Sequence, residues 1–472
     1  MKYNKQRTKI VATIGPSSNT YDVMKQLVEA GVTTIRVNFS HGDEEIHTNV
    51  YNLAREVSRE LNVPISLLLD TKGPEIRIGK MKDDACLLKK GSIVTIKTDE
   101  NSYKNLVGDD KVITVSYRMD KDMHVGAKVL LDDGKLVTIV KEIKPEIILV
   151  EVQNDHVLKT NKRVNIPGID FSMPFMSPKD REDIIWGAKY GVDFIAASFV
   201  NSAKNVHEIR EILKQANAEH IQICSKIESQ TGIDNIDEII EASDSIMIAR
   251  GDLGLEIPYY EVPYWEKKII AKCRKANKEV IVATQMLDSM EKTPLPTRAE
   301  ISDVYWATEL GASATMTSGE TASGQYPVEA IKTMATINHR AEQEYFNEIA
   351  TSCNCQCQPK CELGHVAKEL KEKTKTGDFP YTIAISEDGK LLKKIAKYKP
   401  NTTVIALVSD PKIETAFGIT FGIFCEKNGA KAIEKVIKDP KYLNEILASH
   451  FDIKKGQKFL VIKDGLISEN SL

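Results

Sequence analysis

The feature that most constrains the fold of this chain is a set of strand-length apolar runs separated by stretches of helical periodicity. Such alternation is typical of repeated βα units around a parallel sheet. Eight runs occur, and eight βα units close a barrel. They span residues 9–15, 34–40, 64–70, 194–200, 220–228, 245–252, 279–286 and 314–320. A doubly wound open sheet is the alternative that the pattern leaves open.

The regular alternation breaks twice along the chain. Residues 73–166 carry short β-type runs and turn signals such as Asp132-Asp133-Gly134, which predict a small inserted β-barrel. Because this insertion follows the third strand, we expect it to form a lid over the C-terminal face of the barrel. The predicted fold class is therefore α/β. It comprises a (β/α)₈ TIM barrel in two parts (1–72 and 167–345), the lid (73–166) and a C-terminal open α/β domain (346–472).

Composition narrows the class of protein further. A chain of 472 residues fits about three domains, and its net charge of −3 argues against a nucleic-acid-binding protein. No apolar run approaches the length of a membrane span, and the basic N-terminus runs into a strand-like segment without a signal-peptide core. We therefore expect a cytoplasmic protein with no nucleic-acid or membrane partner, whose eight cysteines are mainly thiols.

Charged residues end the fifth and sixth apolar runs. Lys226 and Glu228 are two residues apart, so on a strand they point to the same side. The next run ends in Gly251 and Asp252, where glycine lets the backbone approach a ligand and aspartate offers a carboxylate. A lysine with two carboxylates suits a divalent cation such as Mg²⁺ and an anionic, oxygen-rich substrate. Ordinary charge at the start of loops is the structural alternative.

Polar residues also end the other strands. Arg36, Asn38 and Ser40 share one side of the second strand. The guanidinium can fork onto phosphate oxygens, and the other two offer neutral oxygens for a monovalent cation. The third and seventh strands add Asp70, Thr71, Arg77 and Thr284 at their ends. Alone, each is as readily explained by turns or core hydroxyls, but their placement at successive ends of one barrel favours a site.

From about residue 7 to residue 340 the sequence resembles the pyruvate kinase family. The motifs that carry the resemblance include Arg36-Val-Asn-Phe-Ser-His-Gly42, Asp70-Thr-Lys-Gly-Pro-Glu-Ile-Arg77, Ser225-Lys-Ile-Glu-Ser229 and Ile248-Ala-Arg-Gly-Asp-Leu-Gly254. Further matches lie at residues 8–16, 283–290, 296–300 and 318–322. The resemblance implies the transfer of a phosphoryl group from phosphoenolpyruvate to ADP, giving pyruvate and ATP in the last step of glycolysis. It also implies Mg²⁺, K⁺ and a homotetramer.

The resemblance assigns roles to the residues at the strand ends. Glu228 and Asp252 would hold Mg²⁺, and Lys226 would stabilise negative charge on the phosphoryl group and the enolate. The other substrate-binding residues would be Arg36 at the phosphate, Gly251 and Asp252 at the carboxylate, and Thr284 beside the enolate carbon. The K⁺ site would comprise Asn38, Ser40, Asp70 and Thr71. The nucleotide would contact Asn38, Phe39, Ser40, His41, Arg77 and Lys162.

Three features bear on cofactors and regulation. Glu75 predicts a K⁺ requirement, because relatives with lysine at this position do not depend on K⁺. Arg163 follows Lys162 where the family usually has glycine. Two interpretations apply to Cys353, Cys355, Cys357 and Cys361: a Zn²⁺ site or reduced thiols. Their spacing is not that of a common zinc finger, so reduced thiols are favoured.

Activation by fructose 1,6-bisphosphate is expected to be absent or altered. The segment that corresponds to the family's effector loop is Ser386-Glu387-Asp388-Gly389-Lys390, whose two acidic residues would repel a phosphate. The end of the chain also looks too short for the second effector loop that relatives place there.

Two other functions stay open. One is a Mg²⁺-dependent barrel that acts on an enolate, such as a pyruvate-forming aldolase or lyase. The other is an inactive relative kept as a binding module, against which the intact set of strand-end residues argues.

Overall fold

The computed structural model describes residue 3 and residues 5–169, 171–346 and 361–472. The first strands are β1 Lys9–Thr13, β2 Thr34–Asn38 and β3 Ser66–Asp70. There follow β4 Ile76–Arg77, β5 Ala85–Leu88, β6 Ile93–Lys97, β7 Val112–Thr114, β8 Lys128–Leu131, β9 Leu136–Lys144, β10 Ile147–Val152, β11 His156–Lys159 and β12 Arg163–Asn165. The remaining barrel strands are β13 Phe194–Ala197, β14 Gln222–Ile227, β15 Ser245–Ala249, β16 Glu279–Ala283 and β17 Ala314–Thr317. The last strands are β18 Tyr381–Ile385, β19 Thr403–Leu407, β20 Ile423–Cys425, β21 Lys458–Lys463 and β22 Leu466–Ser471.

Eight parallel strands close the predicted barrel in the order β1-β2-β3-β13-β14-β15-β16-β17. The first and last strands close the barrel, because β1 pairs with β17 as well as with β2. The open sheet is thereby excluded. Strands such as β15 are buried along their whole length, as expected where helices cover a parallel sheet. Each strand falls within its predicted run. Arg36, Asn38, Asp70 and Lys226 lie in the last residues of their strands, and the other polar residues follow the strand ends at the C-terminal face: Ser40, Thr71, Glu228, Asp252 and Thr284.

The helices that accompany the barrel strands are α1 Tyr21–Glu29, α2 Glu44–Leu61, α4 Pro178–Tyr190, α5 Ala203–Gln215, α6 Gln230–Asp234, α7 Ile236–Ala242, α8 Arg250–Glu256, α9 Val262–Ala276, α10 Arg298–Glu309, α11 Gly319–Ala322 and α12 Pro327–Glu344. The short helix α3 Glu100–Asn105 lies in the insertion after β3. Local sequence fixes the ends of the helices. In α4, Ser177 caps the first turn, Pro178 begins the helix, and Gly191 follows at φ 84°, a conformation that glycine adopts readily. No described helix is both long and apolar enough to cross a membrane.

The insertion after β3 is a β domain with its own apolar core. Seven of its strands form one sheet in the order β4-β12-β8-β9-β10-β6-β7, and β5 pairs with β11. A bridge between Ile78 and Val115 links the two outer strands, which brings the sheet close to a barrel. The turn Asp132-Asp133-Gly134 has φ values of 51°, 55° and 76°. This segment therefore has the architecture expected of the lid, and its boundaries at 73 and 166 stay predictions.

The last segment forms an open sheet in the order β20-β19-β18-β21-β22. The first four strands are parallel and β22 is antiparallel. Its helices are α13 Glu362–Thr374, α14 Lys390–Tyr398, α15 Pro411–Glu414, α16 Gly429–Lys438 and α17 Tyr442–His450. An open α/β sheet was predicted for this segment, and it is observed.

Candidate active site

Lys226 lies at the centre of a buried charge cluster at the C-terminal ends of the barrel strands. Its Nζ is 3.0 Å from Asp70 Oδ1 and 3.1 Å from Glu228 Oε1, and it donates to Ser198 Oγ at 2.7 Å. Three acceptors on three strand ends therefore hold the ammonium in one place. The predicted proximity of Lys226 and Glu228 is observed.

The charges in this cluster stabilise one another. Burial alone would lower the pKa of Lys226, but Asp70 and Glu228 raise it above its ordinary value. Burial alone would raise the pKa of Asp70, yet the charges of Lys226 and Arg36 and their hydrogen bonds lower it. Lys226 therefore carries a fixed positive charge at neutral pH, as a group that stabilises an anionic substrate must.

Glu228 and Asp252 are the carboxylates available for a divalent cation. Glu228 is buried, and its Oε2 accepts the N–H of Phe199 at 2.7 Å. Phe199 adopts φ 53°, an unusual conformation for an aromatic residue that turns this N–H towards the carboxylate. Burial raises the pKa of Glu228, and a bound cation would favour its ionised form. Two carboxylates with room for substrate oxygens fit Mg²⁺, which takes few protein ligands.

Thr284 and Gly251 are joined beside Asp252. The Gly251 N–H donates to Thr284 Oγ1 at 2.7 Å, and that hydroxyl donates to the Ala283 carbonyl at 2.6 Å. A Cβ at Gly251 would lie 3.3 Å from Thr284 Oγ1, so a side chain there would crowd the contact. Thr284 has φ 68°, which lifts the residue away from the strand direction. The hydroxyl is thus fixed at the mouth of the barrel.

Arg36 and the predicted K⁺ residues lie at the ends of β2 and β3. Arg36 Nε donates to Asp70 Oδ2 at 2.7 Å, and its Nη1 donates to Thr13 Oγ1 at 2.6 Å. Asn38 pairs in register with Asp70, and Asn38 Oδ1 accepts the Ser40 N–H at 3.0 Å. Thr71 is buried next to Asp70. The four residues Asn38, Ser40, Asp70 and Thr71 therefore occupy adjacent strand ends and offer the oxygens that a monovalent cation uses.

The predicted nucleotide residues come from the lid and from the loop after β2. Arg77 donates to Glu75 Oε2 from Nη2 at 2.6 Å, and Lys162 Nζ is 2.9 Å from Asp132 Oδ1. In the loop, the Phe39 ring packs on His47, with ring centroids 3.9 Å apart. The His47 ring in turn bonds the His41 carbonyl at 2.8 Å. The His41 side chain is exposed, and the contacts of Phe39 and of the His41 carbonyl with His47 anchor the loop on α2.

A cavity of about 560 Å³ lies between the lid and the barrel. Glu75 and Arg163 line it from the lid side of the chain, and Phe199 and Glu256 line it from the barrel. Phe199, whose N–H bonds Glu228, therefore lies between this cavity and the buried charge cluster.

Several residues of the site were not singled out from the sequence. Ser198 and Phe199 follow β13, and Thr13 ends β1, so all three belong to runs that were recognised as strands. In the sequence, each of the three is only a polar or bulky residue at the end of an apolar run. Other runs end in the same way, so this feature did not distinguish them. Arg163 was noted only as a departure from the family.

Two predictions concern the C-terminal part. Cys353, Cys355 and Cys357 lie outside the described residues, and Cys361 is exposed. Within the described ranges no three His, Cys, Asp or Glu side chains cluster as metal ligands would. In the segment compared with an effector loop, Lys390 Nζ pairs with Asp388 Oδ2 at 2.7 Å. This lysine therefore already has an acidic partner, and the expected lack of sugar-phosphate control stays a prediction.

Comparison with known proteins yields one consistent family. Residues 5–331 match the sequence profile described as pyruvate kinase, barrel domain. The chain is 40% identical over 458 residues to a pyruvate kinase of Mycoplasma pneumoniae, covering 90% of each. It is 43% identical over 426 residues to that of Geobacillus stearothermophilus, covering 90% of this chain and 72% of the relative. A solved pyruvate kinase from Cryptosporidium parvum superposes with a TM-score of 0.89 at 34% identity, over 99% of this chain and 96% of the other.

Proposed function

The chain belongs to the pyruvate kinase family and is a phosphotransferase, and on that premise we propose that it converts phosphoenolpyruvate and ADP into pyruvate and ATP, with Mg²⁺ and K⁺. As the last step of glycolysis this reaction belongs in the cytoplasm. The bond from phosphorus to the enolate oxygen breaks, and a bond from phosphorus to a β-phosphate oxygen of ADP forms. The enolate left behind takes a proton on carbon and becomes pyruvate.

The residues of the site have different roles in this reaction. Arg36 binds the phosphate of phosphoenolpyruvate through its planar donors. Lys226 stabilises the negative charge that passes between the phosphoryl group and the enolate oxygen. Thr284 lies beside the carbon that gains the proton, and Gly251 with Asp252 borders the substrate carboxylate. Glu228 and Asp252 would hold Mg²⁺, which would supply positive charge that stabilises the anionic substrate.

Nucleotide and monovalent cation belong to neighbouring parts of the site. Arg77 and Lys162 approach the nucleotide from the lid, and the loop Asn38-Phe39-Ser40-His41 approaches it from the barrel. Asn38, Ser40, Asp70 and Thr71 would hold K⁺. Such a site would bring the donor and acceptor phosphates together for in-line transfer.

The observation that carries the proposal is the position of Lys226 between Asp70, Ser198 and Glu228. An aldolase or lyase needs the metal carboxylates but has no reason to hold a lysine at this point, together with Arg36 and a lid over a nucleotide. An inactive relative has no reason to keep a buried charge cluster that is costly to desolvate.

A coupled assay for pyruvate separates these functions. With phosphoenolpyruvate, ADP, Mg²⁺ and K⁺ present, pyruvate forms and its formation depends on ADP. Pyruvate that forms equally well without ADP would point to a different reaction, and no pyruvate under any of these conditions would point to an inactive relative.

Activity is expected to require K⁺. Replacing K⁺ by tetramethylammonium at constant ionic strength should lower kcat/KM by about tenfold or more, ~1.4 kcal/mol or more of transition-state stabilisation, because the bulky ion is too large for a site formed by Asn38, Ser40, Asp70 and Thr71. Glu75→Lys should reduce this dependence by placing an ammonium nearby, whereas Glu75→Gln, which adds no cation, should keep it. Equal rates of the unmodified enzyme in the two salts would contradict the K⁺ site.

A homo-oligomer, a tetramer by family resemblance, is part of the same proposal. Large apolar side chains are exposed around the start of α9 and on α10: Tyr259, Tyr260, Tyr264, Ile301 and Trp306. Contiguous aromatic surface of this kind is typical of protein interfaces. A second copy of this chain is the occupant that the family resemblance supports.

Sedimentation velocity tests this assembly. Trp306→Asp, which places a charge on the aromatic patch, should shift the protein to a smaller species. Val125→Asp is the matched control, because Val125 is equally exposed but lies in the lid. A monomeric unmodified protein, or an unchanged sedimentation coefficient for Trp306→Asp, would contradict assembly through this surface.

A further inference from the structure

Arg163 reaches out of the lid and into the barrel site. It is the first residue of β12, and its Nη2 lies 2.8 Å from Glu75 Oε1. Its Nη1 donates to Asp252 Oδ1 at the start of α8. The Arg163 guanidinium thus bridges Glu75 and Asp252, and Asp252 is one of the two carboxylates proposed to bind the metal.

Backbone hydrogen bonds fix the position of Arg163, so its side chain starts from a defined place next to Asp252. Arg163 pairs in register with Arg77 on β4, and its carbonyl accepts the Asp132 N–H at 3.1 Å. Glu75 is 1% exposed and anchors the guanidinium from one side. Burial alone would lower the pKa of Arg163, but the charges of Asp252 and Glu75 raise it. The Arg163 guanidinium next to Asp252 therefore keeps its positive charge.

A guanidinium and a divalent cation compete for the same carboxylate. Arginine has only donors and cannot lose its charge, so it cannot share Asp252 Oδ1 with a metal ion without repulsion. Asp252 is 20% exposed, so an entering cation can reach it. Whatever binds there must first displace Arg163.

We propose that Arg163 is a positioning residue that holds Asp252 Oδ1, so that a divalent cation binds there only by breaking the contact between Arg163 and Asp252. This inference rests on the proposed function, since it takes Asp252 as a metal ligand. After release, the guanidinium stays attached to Glu75 and to the lid, at the side from which the nucleotide approaches. The anionic substrates then provide acceptors in place of Asp252.

The chain offers a matched control for the effect of the lid alone. Asn165, two residues further along β12, donates from Nδ2 to Glu256 Oε1 at 3.1 Å. This bond joins the same strand to the same helix but leaves Asp252 untouched. Asn165→Ala loosens the lid without removing a charge from the metal site, whereas Arg163→Met removes the charge and keeps a side-chain stem.

Calorimetric titration of Mn²⁺ into the full chain, without substrate or nucleotide, tests the proposal. Arg163→Met should bind Mn²⁺ about tenfold more tightly than the unmodified protein, a difference of about 1.4 kcal/mol, and Asn165→Ala should bind it with unchanged affinity. Unchanged or weaker affinity in Arg163→Met would overturn the proposal, as would equal tightening in Asn165→Ala. If the unmodified chain binds no Mn²⁺, the metal site fails and both proposals fall; if it does and Arg163→Met is no tighter, only the displacement fails.

A second measurement needs no variant and covers the case in which Arg163→Met does not fold. Hydrogen exchange of the peptide that contains β12 should become faster when Mn²⁺ is added to the unmodified protein, because the strand loses one of its two side-chain contacts with α8. Exchange that is unchanged or slower in Mn²⁺ would overturn the displacement of Arg163.

Discussion

Lys226→Met should lower kcat by about 10²–10³-fold or more, the cost of removing a preorganised group that stabilises developing negative charge. Methionine keeps the length of the stem and removes the ammonium that contacts Asp70, Ser198 and Glu228. The loss should appear mainly in kcat, because the lysine interacts most strongly with charge that develops during transfer. Steady-state kinetics with phosphoenolpyruvate and ADP measure it.

A second buried lysine provides the control for this substitution. Lys9 begins β1 at the opposite end of the barrel, and its Nζ lies 3.1 Å from the ring centroid of Phe424. Lys9→Met should retain turnover, whatever it does to thermal stability. A folded Lys226→Met enzyme with near-normal kcat would remove Lys226 from the mechanism.

Glu228→Gln should abolish metal-dependent turnover, with a loss of about 10²-fold or more, as expected when electrostatic stabilisation of the transferring group is removed. Glutamine keeps the shape of the side chain and can still accept the Phe199 N–H. It loses the charge that attracts Mg²⁺ and the acceptor that faces Lys226 at 3.1 Å. Mn²⁺ affinity should fall together with kcat, and calorimetry measures the affinity without any substrate.

The matched control is Glu342→Gln. Glu342 is also buried and accepts the N–H groups of Arg7 and Thr8 at 2.8 Å and 2.6 Å, far from the metal carboxylates. This variant should bind Mn²⁺ normally. If Glu228→Gln also retained normal Mn²⁺ affinity, another carboxylate would hold the metal.

The barrel was predictable because its information is local and periodic. An apolar run followed by an amphipathic helix repeats eight times, and each run contains one observed strand. Seven of the eight runs extend past the C-terminal end of their strand, because hydrophobicity does not reveal where the backbone conformation changes. Phe199 and Thr284 leave the strand with positive φ values, which neither residue type announces.

Other parts of the structure depend on contacts that no local pattern contains. Ser198 matters because Lys226 reaches it across 28 residues of sequence, and Arg163 meets Asp252 across 89 residues. In the C-terminal sheet, β20 has three residues and β22 is a largely polar edge strand, so neither has the apolar run that reveals a buried strand. The K⁺ and nucleotide residues came from family resemblance, and their roles stay predictions.

The central claim is that this chain moves a phosphoryl group directly from phosphoenolpyruvate to ADP. Phosphorus NMR of a reaction with Mg²⁺ and K⁺ follows that group atom by atom. The phosphoenolpyruvate signal should disappear as the γ-phosphorus signal of ATP grows by the same amount. Release of the phosphorus as inorganic phosphate, or its retention in phosphoenolpyruvate at catalytic enzyme concentrations, would contradict the claim.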